Sequence, residues 1–198
     1  MIAAQLELSA RDMMRLRVSD AYSIHRIVYS LFEDTRSKEE KKSTPCGFLY
    51  ADRGMVSGHR RVLLLSDRTP KIPDFGTFQI KKIPDDFLSH SVYRFCVVLN
   101  ATTQNKNKRI PIKGRDDILS WFSKKSVQVW GFEPISVDIK KINVIHVSKN
   151  EVRLPIQQVE LFGVLRVKDQ DAFKKSFRLG LGRAKAYGCG LLQIAPVA

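Results

Sequence analysis

The chain has 198 residues, of which 43% are hydrophobic, enough for one large domain or two small ones with a real core. It contains no apolar run of the roughly 18 residues that a membrane span requires, so we expect no membrane association. The formal net charge of +14 at pH 7 indicates a polyanionic partner, and nucleic acid is the first candidate.

The charge excess is concentrated in the second half of the chain. Residues 1–90 hold 15 Lys and Arg against 12 Asp and Glu, whereas residues 91–198 hold 19 against 8. Positive charge that served only to keep the protein soluble would be distributed more evenly along the chain. The distribution therefore predicts a basic binding surface in the second half.

The first half is predicted to contain four strands and one helix. The predicted elements are a strand at 2–8, a helix at 20–33, a hairpin of strands at 46–52 and 60–66, and a strand at 77–83. Pro70 and Pro73 fall where a second helix is expected, and because proline disrupts helix interiors, any helix there is short or missing.

The second half is predicted to repeat this order after a linker at 85–91. Its predicted elements are a strand at 92–101, a basic loop at 102–114, a helix at 115–126, strands at 135–147 and 157–167, a helix at 169–180 and a closing strand at 188–195. Two passes of this pattern predict an α+β fold with two tandem ferredoxin-like (RRM-like, βαββαβ) domains, at 1–84 and 92–198. Such sheets often bind RNA, although a fold alone does not establish a function.

The helix predicted at 20–33 has a second face that its core does not require. Its apolar residues at helical spacing are Ile24, Ile27, Val28 and Leu31. Tyr22, His25 and Tyr29 cluster about 130° away from the centre of that stripe. Asp20, or Ser19 before it, supplies the N-cap, so Tyr22 and His25 belong to the first two turns of an anchored helix. The histidine is either a surface residue without a role or part of a site.

Cysteines and histidines give no metal-ligand spacing. The three cysteines form no CxxC pair, and the four histidines are scattered. The N-terminus lacks the basic start and long apolar run of a secretion signal. We therefore expect a reduced, cytoplasmic protein without a structural metal.

The stretch 180–196 is rich in glycine. Its glycines are Gly180, Gly182, Gly188 and Gly190, with Arg183 and Lys185 between them. It lacks the Gly-Lys-Ser/Thr of a Walker loop, and it follows a helix rather than an early strand, which is the wrong context for a dinucleotide fingerprint. Two interpretations remain: a loop whose glycines let an RNA backbone approach Arg183 and Lys185, or a tight turn around a buried Cys189.

The helix predicted at 20–33 and the stretch 180–196 resemble the corresponding parts of the CRISPR repeat-processing endoribonucleases, in particular of the CasE subtype of the type I-E Cascade complex. The residues that match the tail motif of that subtype are Gly180, Gly182, Lys185, Gly188, Cys189, Gly190, Leu191, Leu192, Ala195 and Pro196. Those that match its Asp-x-Tyr-x-x-His helix are Asp20, Tyr22, His25, Tyr29, Leu31 and Phe32. The basic stretch with Lys108, Arg109 and Pro111 is also similar.

The resemblance implies an enzyme that cleaves CRISPR precursor RNA at the base of the repeat hairpin. Cleavage would need no metal or cofactor, because the ribose 2′-hydroxyl attacks the neighbouring phosphate and leaves a 2′,3′-cyclic phosphate. The implied partners are the repeat hairpin, in precursor and mature guide RNA, and the other Cascade subunits. The alternative is a catalytically inactive module that binds the hairpin and caps the guide RNA.

The resemblance also implies roles for individual residues. His25 would be a catalytic acid or base and Tyr22 would position the reacting groups, although the sequence leaves the division of roles open. Arg26 would be at most a phosphate contact. The residues expected to contact the RNA stem are Lys106, Lys108, Arg109 and Lys113. Arg183 and Lys185 would hold the strand near the cut, unless these cations are only solvated charges.

Overall fold

The computed structural model describes residues 1–34, 36–37, 39–40, 44–106, 108–149 and 152–197. The first half contains β1 (Ile2–Leu8), α1 (Ala10–Arg15), α2 (Ala21–Ser30), β2 (Phe48–Val56), β3 (His59–Ser66) and β4 (Thr77–Lys82). The second half contains β5 (Val92–Leu99), β6 (Thr102–Asn105), β7 (Lys108–Pro111), α3 (Arg115–Lys125), β8 (Phe132–Lys149), β9 (Val152–Val167), α4 (Gln170–Leu179) and β10 (Gln193–Pro196). None of the helices in these ranges is long and apolar enough to cross a bilayer.

Both halves form a four-stranded antiparallel sheet with the same topology. The strand order is β2-β3-β1-β4 in the first sheet and β10-β5-β9-β8 in the second. Strand β1 lies between β3 and β4 in the first sheet, and β5 lies between β9 and β10 in the second. In both sheets the first strand is thus placed between the third and the fourth strands of that sheet, which is the ferredoxin-like arrangement. The predicted α+β fold with two such domains is confirmed. A 3-10 turn at Asp85–Leu88 lies between the two sets of strands, within the segment predicted as a linker.

The middle of the first sheet is buried on both faces. Alternate residues of a strand point to opposite faces, so Phe48 and Tyr50 of β2 pack in one core with α2, whereas Leu49 and Ala51 pack in a second core with residues of the other half. This explains the continuous burial at the start of β2. An ion pair between Arg53 and Glu160 (3.0 Å from Nη2 to Oε1) also joins the two sheets.

The helix that a ferredoxin-like domain has between its third and fourth strands is absent from the first domain, in agreement with the prediction from Pro70 and Pro73. Residues 67–76 connect β3 to β4 without a helix. The short helix α1 was not predicted, because six residues give too little periodicity to recognise. Its start is nevertheless local: Ser9 and Asp12 form a reciprocal capping box.

Three predictions in the second half are wrong in detail. The strand predicted at 157–167 begins earlier, at Val152. The segment predicted as a basic loop forms the β6–β7 hairpin, paired from Thr102 with Pro111 to Asn105 with Lys108. Its turn lacks glycine: Lys106 itself adopts a φ of +50°, and Asn107 lies outside the described residues. The closing strand begins only at Gln193, because the positive φ angles at Gly188 and Gly190 interrupt the extended chain.

Candidate functional site

Helix α2 begins with a local capping arrangement that fixes its first turn. The carboxylate of Asp20 accepts a hydrogen bond from the backbone N–H of Ser23, and the Ser23 hydroxyl contacts the Asp20 backbone in return. Ile24 and Val28 are buried below the helix. The predicted cap and apolar face are thus confirmed, and the half-buried Tyr22 and His25 lie in the first two turns.

Three tyrosine rings surround the imidazole of His25. The ring of Tyr22 stacks at 5.6 Å between centroids, the ring of Tyr29 lies at 4.0 Å, and the ring of Tyr187 lies at 5.7 Å. Tyr29 is not separate from the core, contrary to the prediction, since it packs edge-on against Phe48 at 4.8 Å. The side chain of His25 is therefore held by rings from its own helix and from the glycine-rich tail.

The glycine-rich tail docks against α2 through its main chain. The Nδ1 atom of His25 lies 2.8 Å from the carbonyl oxygen of Ala186, and the hydroxyl of Tyr50 donates to the same oxygen at 2.7 Å. The next carbonyl, that of Tyr187, accepts from Nε2 of Gln158 at 3.0 Å. Side chains from both domains thus hold two consecutive carbonyls of the tail beside the histidine.

Gly190 is required by the close approach of two backbone segments. Its N–H donates to the carbonyl of Val98 at 2.8 Å, and its own carbonyl accepts from the N–H of Leu181 at 2.8 Å. Its φ is +90°, and a Cβ atom built there would lie 2.5 Å from the carbonyl oxygen of Leu181. Since a side chain fits neither the conformation nor the space, glycine is the residue that lets the tail close.

We therefore expect Gly190→Ala to destabilise the protein by about 1–3 kcal/mol or more, because strain at positive φ adds to a clash with backbone. Chemical denaturation would measure the loss. Gly54→Ala is the matched control, since Gly54 has a φ of +68° but no atom within 4 Å of an added Cβ. Equal losses in the two variants would show that the close approach at Gly190 has no effect of its own.

A basic cleft of about 780 Å³ lies next to the docked tail. Hairpin β6–β7, helices α3 and α4 and the tail line it. Its cations are Arg109, Lys125, Lys175, Arg183 and Lys185. No Asp or Glu of the described residues belongs to this lining, while Trp121 and Trp130 contribute aromatic surface. Five cations without a carboxylate produce a positive field that suits a phosphate backbone.

The other predicted cations lie outside this lining. Lys106, Lys108 and Lys113 are exposed on or beside the β6–β7 hairpin, and Arg26 is exposed on α2. Arg109 is exposed as well, and its guanidinium donates to the side-chain oxygen of Gln104 at 3.3 Å. The hairpin therefore presents its cations to solvent at one wall of the cleft.

Burial in the tail shifts the pKa values of the side chains of Lys185 and Cys189. Burial lowers the pKa of Lys185 below the ordinary lysine value, so this ammonium gains more than an exposed one from a nearby anion. Burial raises the pKa of the Cys189 thiol to about 12. Cys189 is therefore a neutral thiol near pH 7 and packs as a small apolar residue, as the turn interpretation of the tail expected.

A second cleft, of about 430 Å³, lies between the two sheets and has mixed charge. Its lining contains Asp52 and Glu160 together with Arg53 and Arg60, and these groups are paired with one another. His146 also reaches it. Because its charges are compensated internally, this cleft is less suited to a polyanion than the basic one.

Sequence reasoning missed three residues of the site: Tyr187, whose ring lies beside His25, and Tyr50 and Gln158, which bind the tail next to it. Tyr187 lies inside the tail motif and could have been noticed as its one aromatic residue. Tyr50 and Gln158 give no local signal, since each lies in a strand far from the motif. Among the described residues, no three His, Cys, Asp or Glu side chains are grouped in a way that could hold a metal.

The fold and this site define a class of tandem ferredoxin-like proteins in which a glycine-rich C-terminal segment docks on a helix of the first domain. A family model described as "CRISPR associated protein" matches residues 1–196. The chain therefore belongs to this family of CRISPR-associated proteins. None of the curated proteins matches the sequence significantly.

Solved structures share the fold over the whole chain. The structure of the CRISPR endoribonuclease Cse3 bound to a 19-nucleotide RNA is similar with a TM-score of 0.81 and 21% identity, over 99% of this chain and 100% of that one. Cas6e from Escherichia coli K-12 is similar with a TM-score of 0.74 and 21% identity, over 100% of both chains. A chain of a CRISPR RNA-guided surveillance complex has a TM-score of 0.75 and 20% identity, also over 100% of both.

Proposed function

We propose that this protein is an endoribonuclease that cleaves CRISPR precursor RNA at the base of the repeat hairpin and then stays bound to the mature guide RNA. One observation carries the proposal. The imidazole of His25 is fixed to the carbonyl of Ala186, next to Lys185, which lines a basic cleft without carboxylates among the described residues. A group suited to proton transfer thus contacts the same tail segment that lines a surface suited to RNA.

The proposed reaction needs one proton removed and one delivered. The 2′-hydroxyl loses its proton and forms a bond to phosphorus, the bond to the 5′-oxygen breaks, and that oxygen takes up a proton, which leaves a 2′,3′-cyclic phosphate. An imidazole can perform either transfer near neutral pH. His25 is assigned one of these transfers, and the hydroxyl of Tyr22, from the ring stacked on it, is assigned to position the reacting oxygen or phosphate.

Charge stabilisation is assigned to the tail. The phosphate gains negative charge as the new bond forms, and a fixed cation nearby lowers the barrier. Lys185 is the best placed, because it is half-buried and adjacent to the residue that binds His25. Arg183 is exposed at the same cleft and suits a neighbouring phosphate.

Recognition of the RNA stem is assigned to the basic cleft and the β6–β7 hairpin. An A-form stem hides its base edges, so proteins recognise it through phosphates and shape. The fold-sharing structures include Cse3 bound to RNA and a chain of a CRISPR RNA-guided surveillance complex. These support the repeat hairpin and other Cascade subunits as the partners of this chain.

A cleavage assay in excess EDTA tests the proposal. The substrate is a labelled repeat hairpin from the host's own CRISPR array, and the matched substrate carries a 2′-deoxy nucleotide just upstream of the cut. We expect cutting of the first and complete protection of the second, with a cyclic phosphate on the product. Tight binding without cutting would contradict the proposed endoribonuclease activity and favour a module that only caps guide RNA. Cutting of the deoxy substrate would exclude attack by the 2′-hydroxyl.

A further inference from the structure

The carbonyl oxygen of Ala186 has two side-chain neighbours from the first domain. The hydroxyl of Tyr50 lies 2.7 Å away, and Nδ1 of His25 lies 2.8 Å away. A carbonyl oxygen can only accept hydrogen bonds, so the imidazole nitrogen that faces it must carry a proton. The tail thereby selects one of the two neutral forms of the His25 ring.

We propose that Tyr50 is a positioning residue: by anchoring the carbonyl of Ala186 it holds His25 with a proton on Nδ1, so that Nε2 is the nitrogen that exchanges a proton with RNA. The proposal rests on the catalytic role proposed for His25. It goes beyond that role because it assigns the reacting nitrogen and a residue that controls it. Tautomer selection by a partner of the other ring nitrogen is a general property of histidine sites.

Tyr50 is suited to this task because its own position is fixed. It is only 2% exposed, in β2, and lies in the core with α2. Burial raises the pKa of its hydroxyl above the ordinary tyrosine value, so the group stays protonated and can donate near neutral pH. Its hydrogen bond to Ala186 therefore couples the core of the first domain to the tail.

The tail needs such an anchor because its own backbone is irregular. The 3-10 turn Lys185–Tyr187 is flanked by Ala184 and Gly188, both in the left-handed region. Gln158 holds the carbonyl of Tyr187 from the second domain, and Tyr50 holds that of Ala186 from the first. Without the hydroxyl of Tyr50, only the His25 side chain would remain to orient the Ala186 carbonyl among the side-chain bonds described.

The first test measures the tautomer by NMR in the RNA-free protein. Long-range correlations between ring protons and ring nitrogens distinguish Nδ1–H from Nε2–H, at a pH above the titration of the imidazole. The His25 signals are assigned by their loss in His25→Ala. We expect Nδ1–H in the native chain and a shift toward Nε2–H in Tyr50→Phe. An Nε2–H ring in the native chain, or an unchanged ring in the variant, would overturn the proposal.

The second test measures cleavage of pre-bound hairpin with the enzyme in excess. We expect Tyr50→Phe to cut about tenfold more slowly, because orientation of the reacting group is impaired, with RNA affinity within about twofold of the native value. Tyr93→Phe is the matched control. Tyr93 is fully buried in the second domain; its hydroxyl donates to the carbonyl of Phe87 at 2.8 Å and accepts from the backbone N–H of His90 at 3.1 Å.

The control separates a general loss of stability from a specific effect. Both variants lose a buried hydroxyl bonded to a backbone carbonyl, and Tyr93→Phe loses a bond from a backbone N–H as well. Its thermal stability should therefore fall at least as much as that of Tyr50→Phe, whereas only Tyr50→Phe should slow cleavage. Equal rates in the two variants would contradict the positioning role. Cleavage lost in His25→Ala but normal in Tyr50→Phe overturns this inference alone, whereas normal cleavage in His25→Ala overturns the proposed function itself.

Discussion

Replacement of His25 by alanine is expected to slow cleavage of a bound repeat hairpin by about 100- to 10,000-fold, the usual contribution of a general acid or base. Hairpin affinity should change by no more than a few-fold, because the expected phosphate contacts, apart from Arg26, belong to the tail, the cleft and the β6–β7 hairpin, and His25 is not one of them. Single-turnover cleavage and equilibrium binding on the same RNA would measure the two effects separately.

His90→Ala is the control for this experiment. His90 is exposed next to β5, with its ring edge-on to Tyr93, and it belongs to neither cleft. The control variant should cleave normally. If His25→Ala lost binding and cleavage together, the histidine would be a structural contact for the tail instead of a catalytic group, because its bond to Ala186 would then matter mainly for folding the RNA surface.

The double replacement of Lys108 and Arg109 by alanine is expected to weaken hairpin binding by about 10- to 100-fold, on the basis of two lost charge-assisted contacts. Both residues lie on β7 and are exposed. Each phosphate contact adds roughly one unit to the slope of log affinity against log salt, so the slope should fall by about two. A salt titration of binding measures both quantities.

Replacement of Lys81 and Lys82 on β4 removes the same charge from an exposed edge of the first sheet. We expect a small change in affinity and an unchanged salt slope, since this strand lies in the other half of the molecule. If the two double variants lowered the slope equally, only the net charge of the protein would matter, and the β6–β7 hairpin would not be part of the interface.

The sequence by itself determined those features that depend on neighbours along the chain. Helix α2 starts at the predicted cap because Asp20 and Ser23 satisfy each other's backbone groups within one turn. The strand at Ile2–Leu8 follows its pattern of residue types. The order of elements was sufficient to predict two ferredoxin-like domains. The cap and the strand are each encoded within a few consecutive residues, and the fold follows from the order of such local elements along the chain.

Tertiary structure decided the composition of the site. His25 and Ala186 are 161 positions apart, and Tyr50 and Ala186 are 136 apart, so no local pattern could pair them. The β6–β7 hairpin was missed for a related reason: Lys106 adopts a conformation that usually requires glycine, and the paired strands impose it. The contacts of the tail with His25 and Tyr50 depend on the packing of both halves, because burial in the two cores holds β2 and the tail in place relative to α2.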